Sequence, residues 1–122
     1  MKMALDDTLG VYAVRSCEPG CVTVRSHRVT ASAIVLPDRL LTDWPPATVE
    51  EIRAEHLATV LEHDIEVLIL GTGEAQAFPD PALFTALMAR GVGFEVMDNA
   101  AACRTYNILL AEQRRVALAV LI

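Results

Sequence analysis

Val116 to Ile122 reads Val-Ala-Leu-Ala-Val-Leu-Ile, a run without one polar side chain. A strand that is apolar on both faces has to be covered above and below, so this run predicts an interior strand of a layered sheet. Burial at a subunit contact is the alternative. The run is far shorter than the roughly 20 residues that a membrane helix needs. Val67 to Leu70 is a second such run, bounded by Gly71 and Gly73. Strands of this kind need helices on both sides, and the sequence after Gly73 supplies them.

Asp80 followed by Pro81 predicts a capped helix start, because proline at the first helical position gives up an N–H that has no helical partner anyway. Leu83, Phe84, Leu87 and Met88 recur at helical spacing, and Gly91 falls where a left-handed C-terminal residue is expected. Val92 to Met97 predicts a strand. Asp98 or Asn99 then caps a helix from Ala100 to about Glu112. A strand-helix-strand unit joins parallel strands. The Gly71-Thr72-Gly73-Glu74 loop and the Met97-Asp98-Asn99 end are therefore expected on one sheet edge, where ligands of open α/β sheets usually sit. Amides at the start of the helix near Ala100 would face that edge as a site for a small anion or carboxylate.

Helical spacing sets Asn99, Cys103, Tyr106 and Asn107 along one face of that helix. Tyr106 and Asn107 read either as ligand contacts or, more simply, as side chains that satisfy buried backbone groups. Arg104 reads as an anion clamp or as the ion-pair partner of Glu74, Glu95 or Asp98. Cys103 near a helix start has the dipole that lowers a thiol's pKa, but no histidine is near it in sequence, and a packed core cysteine explains it as well.

Taken together, Gly71-Thr72-Gly73-Glu74, Phe78-Pro79, Glu95-Val96-Met97-Asp98, Ala102-Cys103-Arg104-Thr105-Tyr106-Asn107 and Glu112 resemble domain-of-unknown-function family 498. The resemblance runs from about Leu9 to the C-terminus and is strongest after Val67. It implies a small Mth-type α/β domain with a mixed sheet flanked by helices, and no established catalytic activity. Members of that family are similar to the domain of a mitochondrial assembly factor for respiratory complex I, implied to act through protein contacts, and of an adipogenesis-associated protein. This sequence shows no evident mitochondrial presequence, so that role is not carried over. The matched residues inherit only the status of a shared site.

Earlier in the chain the pattern changes to alternation. Val11, Ala13 and Cys17, then Val22 and Val24, flank Cys17-Glu18-Pro19-Gly20-Cys21, which reads as a hairpin with a three-residue loop. Val29 to Leu36 is expected as the third strand of an antiparallel meander, stopped by Pro37. Cys17 and Cys21 could close a disulfide across the turn, although small apolar strand residues in a reducing compartment are the simpler reading. They lack the second pair that structural zinc needs, and no metal site is expected. Pro37 to Pro46 reads as an irregular segment anchored by Trp44. Thr48 to Glu51 matches a capping box, and Val49, Ile52, Leu57, Val60 and Leu61 predict a surface helix from Thr48 to His63. His56 and His63 lie on its charged side, and nothing gives His27 a role.

The fold expected is thus α/β: a single three-layer domain over residues 1–122, with a mixed β-sheet, packed helices and an N-terminal antiparallel meander, residues 1–8 being flexible. A net charge of −6 argues against nucleic-acid binding, which needs a basic surface. Neither a signal peptide nor a membrane span is visible, so the expected location is cytoplasmic. High apolar content makes a homo-oligomer plausible. The Gly71-Thr72-Gly73 loop lacks the third glycine of a dinucleotide fingerprint, no phosphate loop is present, and no cofactor is expected.

Two functions fit. One is a binding or assembly-factor-like domain that captures a protein segment or a small anion at the edge formed by Gly71, Thr72, Gly73, Glu74, Met97, Asp98, Asn99, Cys103, Arg104, Tyr106 and Asn107. The other is a small enzyme in which Glu74, Glu95 or Asp98 performs acid-base chemistry near Arg104, with Cys103 as nucleophile.

Overall fold

The computed structural model describes residues 11–122, and the expected flexible start lies outside them. Val116–Val120 forms β8, the central strand of a five-stranded sheet. β6 (Val67–Gly71) runs parallel to it, and β7 (Gly93–Met97) continues in parallel to one edge. On the other side come β4 (Ala33–Leu36), antiparallel to β8, and then β5 (Arg39–Leu41), antiparallel to β4. The sheet is mixed, in the order β5-β4-β8-β6-β7.

Alternation along these strands divides the core in two. Ile34, Leu36, Leu68, Leu70, Ala117 and Ala119 face α1 (Ala54–Leu61) and α2 (Pro81–Ala89). Val35, Ile69 and Leu118 face the other way, onto α3 (Asn99–Ala111) and a separate three-stranded antiparallel sheet. That small sheet consists of β1 (Val14–Glu18), β2 (Cys21–Val24) and β3 (His27–Val29). Three layers result, with α3 and the small sheet sharing one of them. Leu68, Ile69, Leu70 and Leu118 are wholly buried. At about 1.5–3 kcal/mol for each such side chain, apolar burial outweighs any one hydrogen bond in holding the layers together.

The α/β class, mixed sheet, interior β8, parallel β6 and β7, and the N-terminal meander agree with the sequence. Asp80 accepts from the Ala82 N–H and Asp98 from the Ala101 N–H, so both carboxylates cap their helices as expected. Among the described residues, no helix is long and apolar enough to cross a membrane.

Several local expectations fail. Val29 to Leu36 is not one strand: β3 ends at Val29, and β4 begins at Ala33 in the other sheet. Ser32 marks the crossing, its hydroxyl accepting from the Ile122 N–H at 2.9 Å while its carbonyl accepts from Trp44. The hairpin loop has two residues, Pro19 and Gly20, because Glu18 pairs with Cys21. Gly20 has φ +76°, the conformation that a proline-glycine turn requires at its second position. The strand before it starts at Val14, leaving Val11 and Ala13 outside. Pro37 to Pro46 is less irregular than expected, since β5 lies within it.

Thr48 to His63 is also broken. Val49–Glu51 is a single 3-10 turn, Ile52 and Arg53 are extended, and α1 starts only at Ala54. Thr48 makes no side-chain cap, and Glu51 accepts instead from the Ala47 N–H at 2.8 Å. Two apolar stripes at helical spacing, Val49-Ile52 and Leu57-Val60, are both buried, and the extended link turns the chain between them. Trp44 is buried and donates its indole N–H to the His56 carbonyl, fastening the preceding loop to α1. Gly93–Met97 is an edge strand that is only partly covered.

Candidate functional site

Parallel pairing brings Gly71, Met97 and Val120 level at the C-terminal ends of their strands. Gly71 lies under the first turn of α3. A Cβ there would come within 2.4 Å of Asn99 Oδ1 and 3.2 Å of the Ala102 Cβ, so only glycine lets the helix sit this close. Asn99 uses the approach fully. Its Oδ1 accepts from the Gly73 N–H at 3.0 Å, its Nδ2 donates to the Leu121 carbonyl at 2.9 Å, and its own N–H donates to the Gly73 carbonyl at 2.8 Å. One amide side chain thereby joins the loop after β6 to the end of β8.

The neighbouring motif residues are also engaged with backbone. Thr72 donates its hydroxyl to the Ala75 carbonyl at 2.7 Å and accepts from the Ala77 N–H at 3.1 Å. Met97 accepts from the Thr105 hydroxyl through its sulfur. Further along α3, Tyr106 donates its phenol to the Tyr12 carbonyl at 2.8 Å. Burial, with a smaller push from Asp38, holds that phenol above its ordinary range, which keeps it a donor. Asn107 accepts from the Val14 N–H at 2.9 Å and donates to the Val14 carbonyl at 2.8 Å. Its amide takes the place of a neighbouring strand along the outer edge of β1.

What remains open is a crevice of about 530 Å³ over the C-terminal ends of the parallel strands. Gly73, Glu74, Asp98, Asn99 and Ala100 form one wall, and the β1–β2 turn with Glu18, Pro19 and Gly20 forms the other. Three carboxylates line it and no lysine, arginine or histidine does, among the described residues. Asp98 already occupies the amide end of α3. This charge pattern does not suit the anion expected there.

Arg104 is exposed and pairs with none of Glu74, Glu95 or Asp98. It lines a neighbouring groove of about 240 Å³ between β1 and α3, together with Cys17, Cys103 and Asn107. Among the described residues no carboxylate shares that groove, so Glu74, Glu95 and Asp98 are not brought beside Arg104 as the acid-base reading expects. Cys103 is 4% exposed. Burial first, then the Cys17 thiol beside it, push Cys103 well above the ordinary thiol range, and Arg104 offsets them only in part. The direction is opposite to the lowering expected at a helix start. All three cysteines are free. Cys17 pairs with Val22 and Glu18 with Cys21, so Cys17 and Cys21 face opposite sides of the hairpin and do not meet.

Reading the sequence alone missed the hairpin's part in the crevice. The turn signal at Pro19-Gly20 was legible, but nothing local says which sheet edge the turn will overhang. The proximity of Cys17 to Cys103 was missed for the same reason.

Comparison with known proteins places this geometry. The assembly factor 3 of the NADH dehydrogenase [ubiquinone] 1 alpha subcomplex from Xenopus tropicalis is 32% identical over 100 residues, 80% of this chain and 54% of that protein. The chain therefore spans about half the length of that relative. A solution structure from Xanthomonas campestris is 40% identical, with TM-score 0.84, covering 91% of this chain and 84% of that one. A Mth938-like domain from Bordetella pertussis is 31% identical, with TM-score 0.77, covering 92% of this chain and 86% of that one. Residues 14–121 match the family described as protein of unknown function, DUF498/DUF598, and the chain belongs to that family.

Proposed function

We propose that the chain is a binding domain of the assembly-factor type, which docks a basic protein segment in the crevice between the β1–β2 turn and the loop after β6. The observation that carries this reading is the lining: Glu18, Glu74 and Asp98, with no cation beside them among the described residues. Carboxylates gathered around a concave surface attract a cationic partner and set the register of its approach. The similarity to a complex I assembly factor supports a role built on protein contacts. Thr72, Asn99, Tyr106 and Asn107 hold backbone, and Cys103 is too buried to attack a bound substrate directly.

The test is an NMR titration with two short peptides of equal length, one rich in lysine and arginine and one rich in glutamate. The basic peptide is expected to shift amide signals of Gly20, Gly73, Glu74 and Ala100 and to lose affinity as salt rises. In the Glu18→Gln/Glu74→Gln variant the same shifts should need at least several-fold more peptide. Shifts that scatter over the surface, or an acidic peptide that perturbs the crevice equally, would sink the proposal.

A further inference from the structure

Asn107 and Val14 fix how α3 lies on β1, and the crevice sets the direction: Glu18 at the end of β1 and Ala100 at the start of α3 line it together, so β1 runs opposite to α3. One helical turn back from Asn107, a rise of about 6 Å, is Cys103. Three residues on from Val14 is Cys17, about 10 Å along an extended strand and less here because of the bulge between Val14 and Ser16. The two cysteines thus line the same groove, which Ser16, Ala100 and Arg104 help to wall, and both pack into the core layer on that side of the sheet. Their exposures differ. Cys17 is half-buried and also faces the larger crevice, whereas Cys103 lies beneath it.

We propose that Cys17 and Cys103 form a thiol-disulfide exchange site for low-molecular-weight disulfides, Cys17 being the entry thiol and Cys103 the resolving one. In the first step Cys17 gives its proton to solvent and its sulfur attacks one sulfur of the small disulfide. That S–S bond breaks, and the first thiolate leaves and takes a proton from solvent. Cys103 then loses its proton to solvent, with the Arg104 cation beside it favouring the thiolate, and attacks Cys17 Sγ. The mixed disulfide breaks, and the second small thiol departs. The protein loses two electrons and two protons, and the small disulfide is reduced to two thiols. Cys21, on the other side of the hairpin, takes no part. The bridge would tie the hairpin to α3 beside the crevice to which both contribute.

The experiment uses the full chain, reduced and free of oxygen, equilibrated with glutathione at a series of reduced-to-oxidised ratios, then acid-quenched, alkylated and read by intact mass and peptide mapping. Expected is a loss of two hydrogens, with the peptides carrying Cys17 and Cys103 joined. The Cys103→Ser variant should instead retain one glutathione on Cys17, and Cys17→Ser should leave Cys103 unreacted. Wild type that stops at a stable glutathione adduct, forms a bridge through Cys21, or stays fully reduced at every ratio would overturn the proposal. The wild-type peptide map decides even if a variant fails to fold.

Discussion

The two ends of the parallel strands are finished by different physics. At their N-terminal end, Glu66 accepts from the Arg114 Nε and forms an ion pair with the Arg115 guanidinium at 3.0 Å, and Arg115 also reaches Asp64 at 3.4 Å. The chain neutralises its own charge there. At the C-terminal end, three carboxylates surround a crevice that no cation lines among the described residues, and neutral groups hold the backbone: the Asn99 amide, the Thr72 hydroxyl and the Gly71 gap. An end that compensates itself offers a partner little. An end that is rigid, concave and uncompensated leaves its charge for a partner to meet, which is why the docking proposal is placed there.

The largest expected effect breaks the rigid side of this comparison. Gly71→Ala drives a methyl group into Asn99 Oδ1, so the amide must leave and the Gly73 N–H and Leu121 carbonyl lose their partner. Overpacking and orphaned backbone together should cost about 2–5 kcal/mol in urea unfolding. Asn99→Ala removes only the amide and should cost about 1–3 kcal/mol. The two are not expected to add. With the amide gone, the new methyl meets the Ala102 Cβ at 3.2 Å and the Cα of position 99 at 3.4 Å, so the double variant should lose well under the sum of the single losses. Additive losses would show that Asn99 is not what Gly71 makes room for.

How much of this was legible differs between the same two ends. The parallel strands, the helix caps at Asp80 and Asp98 and the interior place of β8 followed from apolar runs and cap chemistry, which are local. The family resemblance singled out Gly71, Tyr106 and Asn107, and backbone satisfaction is the simpler sequence reading of the last two, but sequence alone could not name their partners or say that Gly71 and Asn99 serve packing and backbone. Their partners, Leu121, Tyr12 and Val14, come from distant parts of the chain. The break at Ile52-Arg53 hid behind two apolar stripes that happen to share a helical phase. The second sheet was hidden because Val29 to Leu36 is apolar enough to pass for one strand, while Ser32, the residue that redirects it, carries no turn signal of its own.

The smallest expected effect tests the self-compensated end. Arg114, hydrogen-bonded to Glu66, holds the Glu66 carboxyl below its ordinary value of 4.5, and both arginines' charges add to the pull. A carboxyl depressed by folding contributes stability that is fully present above its unfolded pKa and is lost as pH falls through the folded one. The contribution should therefore vanish on the acid side of 4.5 and be unchanged at neutral pH. Glu66→Gln removes it at every pH, so variant and wild type should differ slightly at neutral pH and converge in acid. Exposed pairs are worth little and salt screens them, so the neutral-pH difference should shrink further at high ionic strength. A difference that persists in acid and in salt would mean that the Glu66 side chain acts through packing rather than through charge, and the contrast between the two ends would lose its electrostatic half.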